Sequence, residues 1–113
     1  MWVQLRSARG SEPAGRRPAV VLQHDRFNRT LISTVVVAAV TSQTKYANLV
    51  GNVLLRKGEA GLNKASVVNV TQIATIDRAY VVEKIGRISI ARLNEIWSGL
   101  KLVLEPPEAT RQL

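Results

Sequence analysis

Two apolar stretches stand almost back to back near the front of this chain. Pro18–His24 runs unbroken until its polar end, and Leu31–Val40 follows, rich in β-branched side chains. Such side chains suit a pleated, buried surface, so both stretches are expected to be core strands. The Asp/Asn-bearing segment Asp25–Thr30 between them has the composition of a connection, which predicts an antiparallel hairpin with a longish tip. Any fold proposed for the chain has to be built around that hairpin.

The remainder reads as further short strands and one helix. Trp2–Leu5 is a strand, followed by an Arg/Gly/Ser/Pro-rich loop, Arg6–Arg16, in which Gly10, Pro13 and Gly15 prevent regular structure. Val50–Leu55 and Ser66–Val70 are shorter strands around a charged turn through Gly58 and Gly61, and Val81–Ile88 supplies one more. Ser89 is placed to cap a helix, along which Ile90, Leu93, Trp97, Leu100 and Leu104 recur at spacings of three and four as the expected buried stripe. Glu105-Pro106-Pro107 ends it. The sum is a mainly β chain, a five- or six-stranded antiparallel barrel-like sheet packed on one C-terminal helix.

Length and charge narrow the function. At 113 residues the chain is too short for two ordinary cores, so residues 1–105 are expected to form one domain, with 106–113 a polar tail. No apolar run is long enough for a membrane-spanning helix, and no signal peptide is evident; with no cysteine, a reducing, cytoplasmic setting is expected. The net charge of +8 calls for a polyanionic partner, and Arg6, Arg9, Arg16, Arg17, Arg26 and Arg29 concentrate it near the front, against Glu12 and Asp25.

Familiar hydrolytic sites are missing from the pattern. One histidine, no cysteine and carboxylates never at ligand spacing argue against a catalytic metal, and no cofactor motif is present. His24 has no serine in a Gly-x-Ser-x-Gly setting, so a catalytic triad is not supported either. In a regular strand Arg17 shares a face with Ala19, Val21 and Gln23, and His24 points the other way.

Two segments carry a resemblance. Gly10-Ser11-Glu12-Pro13-Ala14-Gly15-Arg16-Arg17-Pro18-Ala19-Val20-Val21 and Val36-Val37-Ala38-Ala39-Val40-Thr41-Ser42 resemble the signature segments of the MazF/PemK (Kid) toxins. In those toxins a Gly-Ser/His-Glu-x-x-Gly-x-Arg-Pro loop enters a strand, and a later strand ends in Pro/Ala-x-Thr-Ser/Thr. The likeness continues with fewer identities through Ser66–Asp77, Ile85-Gly86 and the helix. It implies an SH3-like barrel of the CcdB/PemK/MazF type and the toxin of a type II toxin–antitoxin system. The implied activity is a metal-independent, sequence-specific endoribonuclease that cuts single-stranded RNA by attack of the ribose 2′-hydroxyl.

Carried over by position, the resemblance makes Arg17 the catalytic arginine and Thr41 its assisting threonine. Ser11, Glu12, Arg16 and Ser42 border the RNA. A guanidinium is a poor base, so proton removal falls to Glu12 or to the surroundings of the bound RNA. Implied partners are a second copy of the chain, a MazE-like antitoxin with an acidic flexible tail, and operator DNA reached through the antitoxin complex.

Departures from the family are informative. Where some members carry an Arg and an Asp as acid and base, Asn69 and Thr71 stand here, and Ser11 replaces a histidine. The usual Arg-Gly-Asp/Glu opening of the first strand is missing, which implies a shortened strand with a weakened edge, or an initiation codon placed too late. Structural alternatives stay open. Arg17 could anchor the loop by pairing with Glu12, Thr41 could terminate its strand, and Trp97 fits the core or a dimer contact. The functional alternatives are a non-catalytic CcdB-like toxin that binds gyrase, whose Trp-Gly-Ile ending is absent, and a bare RNA-binding barrel.

Overall fold

The computed structural model describes residues 2–6, 16–22, 26 and 32–105. Six strands are formed: β1 (Trp2–Arg6), β2 (Arg16–Val21), β3 (Thr34–Thr41), β4 (Val53–Leu55), β5 (Ser66–Asp77) and β6 (Val81–Gly86). One α-helix, α1 (Ile90–Leu104), follows them. The strands make one sheet in the order β4-β5-β3-β2-β1-β6, with every pair antiparallel. The expected hairpin is present: β2 pairs with β3 in the register Ala19 to Ala39, Val20 to Ala38 and Val21 to Val37. The polar tail, 106–113, lies outside the described residues.

Some boundaries differ from expectation. β1 is an inner strand, hydrogen-bonded to both β2 and β6, so its short start leaves no weakened edge; the sheet ends at β4 and β6. Val50 and Gly51 turn rather than pair, because Gly51 takes a φ of +86°, and β4 is reduced to Val53–Leu55. β5 continues past Val70 to Asp77, sustained by the β-branched Thr71, Ile73, Thr75 and Ile76.

The hairpin strands are apolar throughout because both of their faces are covered. Val20, Ala38 and Val40 point into the main core with Val53, Leu55, Val68, Val70, Ile88, Ile96 and Leu100. Ala19, Val21, Val35 and Val37 alternate with them on the opposite side, where Ile76 and Val81 pack. The second face is the one that Arg17 and Thr41 share by strand alternation.

Ser89 caps α1 as expected, its hydroxyl oxygen accepting from the Arg92 N–H at 3.2 Å. The buried stripe is the expected one only in part: Leu100 is buried and Leu93 packs against the core. Ile96, Gly99 and Leu100 are buried, whereas Ile90, Trp97 and Leu104 are 78%, 56% and 64% exposed. The cause is a backbone contact: the Cα of Gly99 lies so close to Gly51 that no side chain fits between them, and the helix is turned to bring that point inward.

Arg92 straps the β4–β5 connection to the helix. Its Nε and Nη2 donate to both carboxylate oxygens of Glu59, at 2.9 and 2.8 Å, and its Nη1 donates to Glu95 at 2.9 Å. These bonds from Arg92, followed by that from the Arg56 N–H, hold the Glu59 carboxyl below its ordinary range and raise the guanidinium in turn.

The β3–β5 ladder shifts register between Ala38, opposite Ile73, and Ala39, opposite Asn69. This is a bulge, and it deprives Val70 of a strand partner. Asn52 makes good the loss: its Oδ1 accepts from the Val70 N–H at 3.0 Å, and its Nδ2 donates to the Tyr46 carbonyl at 3.0 Å. Asn52→Ala is therefore expected to destabilise the fold by roughly 2 kcal/mol, the cost of stranding a partly buried donor, as read from the midpoint of urea unfolding.

Candidate active site

The site is built by the open end of the β2–β3 hairpin. The Leu22 N–H donates to the Val36 carbonyl at 2.9 Å, so alternate residues of β2 direct their nitrogens at β3. Pro18 is such a residue and has no N–H to give. The ladder accordingly stops at Ala19, and beyond it the two strand ends are released from each other. Pro18 also confines Arg17 to extended backbone.

Continuing the hairpin register by two residues sets Arg17 opposite Thr41, with side chains on one face. Arg17 is exposed and Thr41 half-buried. The Thr41 Oγ1 accepts from the Gln43 N–H at 3.2 Å, which orients the hydroxyl and leaves its proton to donate. Ser42, exposed, follows at the strand end, and Arg16 opens β2 with its backbone opposite Arg6. Next along the same face come Ala19 and Ala39, whose methyl groups keep the floor low.

Beside that floor stands Asn69, opposite Ala39. Its Oδ1 accepts from the Thr71 Oγ1 at 2.8 Å, which fixes the carboxamide with the NH₂ group as the outward donor. Position and orientation depend on the β5 bulge, which no sequence pattern announced. Ser11, Glu12 and His24 lie outside the described residues. Among the described residues the backbone positions of Arg16, Arg17, Thr41 and Ser42 lie at one end of the hairpin, with strand alternation giving one face to Arg17 and Thr41.

Chemically, this end of the sheet offers a fixed positive charge and hydroxyl and amide donors. A guanidinium holds two oxygens of a tetrahedral oxyanion at once, and the threonine proton can meet another. Among the described residues no group of three or more His, Cys, Asp or Glu side chains gathers as a metal site. The arrangement suits stabilisation of negative charge on a phosphate.

Comparison with known proteins gives a consistent result. The family model for the PemK-like, MazF-like toxin of type II toxin–antitoxin systems matches residues 1–104. Endoribonuclease MazF6 of Mycobacterium tuberculosis is 38% identical over 104 residues, covering 92% of this chain and 91% of that protein. Endoribonuclease MazF of Staphylococcus saprophyticus is 33% identical over 100 residues, covering 88% and 82%. Among solved structures, Mycobacterium tuberculosis toxin MazF-mt6 superposes with a TM-score of 0.74 at 19% identity, over 90% of this chain and 94% of that one. The MazE-MazF complex of Deinococcus radiodurans gives 0.72 at 24% identity, over 94% and 92%.

Proposed function

The chain belongs to the PemK-like, MazF-like toxin family of type II toxin–antitoxin systems, and on that footing we propose that it is a metal-independent endoribonuclease cutting single-stranded RNA. The 2′-hydroxyl of the ribose loses its proton and attacks the adjacent phosphorus, a pentacoordinate phosphorane forms, and the bond to the 5′-oxygen breaks as that oxygen takes up a proton. The products are a 2′,3′-cyclic phosphate and a 5′-hydroxyl. No water enters this step, so neither a metal-bound hydroxide nor a protein nucleophile is required.

The reading is supported by Arg17 and Thr41 lying at the same end of the paired strands β2 and β3, on the face that strand alternation gives to both, next to Pro18. Arg17 spans two equatorial oxygens of the phosphorane, where charge accumulates, and Thr41 donates to the same group. Glu12, or the surroundings of the bound RNA, takes the 2′-hydroxyl proton, and Ser11, Arg16 and Ser42 hold the flanking RNA. Residues 1–105 act as one toxin unit.

Related toxins have been solved with their antitoxins, including MazE-MazF of Deinococcus radiodurans and a mycobacterial endoribonuclease with its cognate antitoxin. An antitoxin is accordingly a partner of this toxin type. For this chain we take that partner to be MazE-like, its acidic flexible tail lying over the basic site of a homodimer, with operator DNA bound through the complex. Among the described residues no helix is long and apolar enough to cross a membrane; action in the cytoplasm, where messenger RNA is found, completes the reading.

Purified protein should cut a single-stranded RNA at an unchanged rate in excess EDTA. The downstream fragments should accept labelled phosphate from a polynucleotide kinase without phosphatase treatment. Cleavage that needs a divalent ion, or fragments that already carry a 5′-phosphate, would refute the mechanism.

A further inference from the structure

The connection between β4 and β5 carries Arg56, Lys57 and Lys64, all exposed, and the chemistry above gives them no task. They stand at the same end of the sheet as the active site. Leu55 pairs with Ser66, and the neighbouring Val67 pairs with Thr41, so the connection leaves and rejoins the sheet beside the end of β3. With strands about 4.8 Å apart, its base lies on β4 and β5 within roughly 10 Å of Thr41.

The connection carries a net positive charge of its own, three cations against one carboxylate. Glu59 is the acidic residue between Arg56 and Lys64, and both of its oxygens are taken by Arg92 of α1. Glu95, the next carboxylate on the helix, is bound to the same guanidinium. Among the described residues Arg56, Lys57 and Lys64 form no ion pair of their own. Three cations thus face solvent on a connection whose one carboxylate is directed toward α1.

The segment is also stiff. Gly58 N–H donates to the Leu62 carbonyl at 2.8 Å, Glu59 N–H to Arg56 at 3.0 Å, and Leu62 N–H to Glu59 at 2.9 Å. Gly86 of β6 lies against the Ala60 carbonyl so closely that a Cβ would not fit, and Leu62 packs on the main core. Cations on a pre-formed turn lose little freedom when they bind, which suits them to a repeating anion.

We propose that the turn spanning residues 56–64 is a second anchoring site for single-stranded RNA, gripping backbone phosphates of the strand whose scissile phosphate lies at Arg17 and Thr41. This rests on the ribonuclease reading for its direction but not for its measurement. A phosphodiester chain is favoured over a protein partner because the exposed groups of the turn are cations in series, while its apolar Leu62 is turned inward.

The test compares wild type with R56Q/K57Q/K64Q, which leaves Glu59 and Arg92 in place. Binding of a mixed-sequence single-stranded RNA oligonucleotide is titrated across a range of salt concentrations, and single-turnover cleavage is measured at saturating RNA. The variant should bind at least about tenfold more weakly at low salt, and the log–log salt slope should flatten by about 2, near 0.7 for each phosphate no longer neutralised. Its single-turnover rate should be unchanged. An unaltered slope and affinity would overturn the proposal. So would an unaltered RNA slope combined with weakened affinity for poly-glutamate, which would assign the turn to an acidic protein segment. If wild type bound RNA without cutting it and the variant still flattened the slope, the ribonuclease reading would fail and the anchoring site would stand.

Discussion

Arg17→Ala should slow RNA cleavage about a thousandfold, equivalent to about 4 kcal/mol of transition-state stabilisation. Thermal stability should barely move. The two expectations follow from one location: Arg17 sits at the exposed start of β2, so truncation opens no cavity, whereas Ala19 and Val21 beyond it are buried. If the guanidinium acts on the phosphorane, the loss belongs to the single-turnover rate at saturating RNA rather than to RNA affinity. Arg17→Lys discriminates further, because an ammonium restores the charge without the two-pronged fit, and should recover a minor part of the rate. Full recovery by lysine would show that charge alone matters. Retention of wild-type cutting by the alanine variant would remove Arg17 from the mechanism.

Thr41 has less to contribute, because a neutral donor stabilises an oxyanion less than a charged one. Its role also depends on the Gln43 N–H, which occupies the hydroxyl oxygen and turns the proton outward. What leaves this strand end open is a defect in the sheet: Pro18 has no N–H to give β3, and the paired register stops at Ala19. Arg-Pro in the motif is thus a chemical group and the device that exposes it.

This explains which parts of the molecule could be read from residue order. The β2–β3 hairpin was legible because both strands are uninterrupted apolar runs, and its register then follows from local pairing. Arg17 and Thr41 were reachable as candidates through the two motifs they belong to. The position of Asn69 was not, since it depends on the bulge in β5, where three residues slip past β3 and the simple period of two is lost. The inner position of β1 depends on β6, far along the chain, for which the first residues hold no signal. The exposed faces of Ile90, Trp97 and Leu104 had a similar cause: helical spacing alone preferred a large-residue stripe, and the decisive contact was made by a residue with no side chain.

That contact yields a prediction of opposite sign to the one from helix propensity. Gly99 lies in the interior of α1, where exchanging glycine for alanine ordinarily stabilises a helix by about 1 kcal/mol. Here the added methyl would meet the backbone carbonyl of Gly51 and the Gly51 Cα, neither of which can swing aside as a side chain would. Gly51 is itself held at φ +86° in the turn before β4, and Asn52 next to it is tied to Tyr46 and Val70. To admit the methyl, α1 must lift from the sheet. Ile96 and Leu100, buried on either side of Gly99, would then pack less closely on Leu55 and Val70 in the main core. Gly99→Ala is therefore expected to destabilise the protein by about 3 kcal/mol, seen as a lower urea midpoint with the denaturant slope unchanged. Ser98→Ala, one residue away on an exposed part of the same helix, should be neutral or slightly stabilising. If both variants proved equally stable, the close approach of α1 to Gly51 would not exist in solution, and the rotation of the helix that exposes Trp97 would lose its cause.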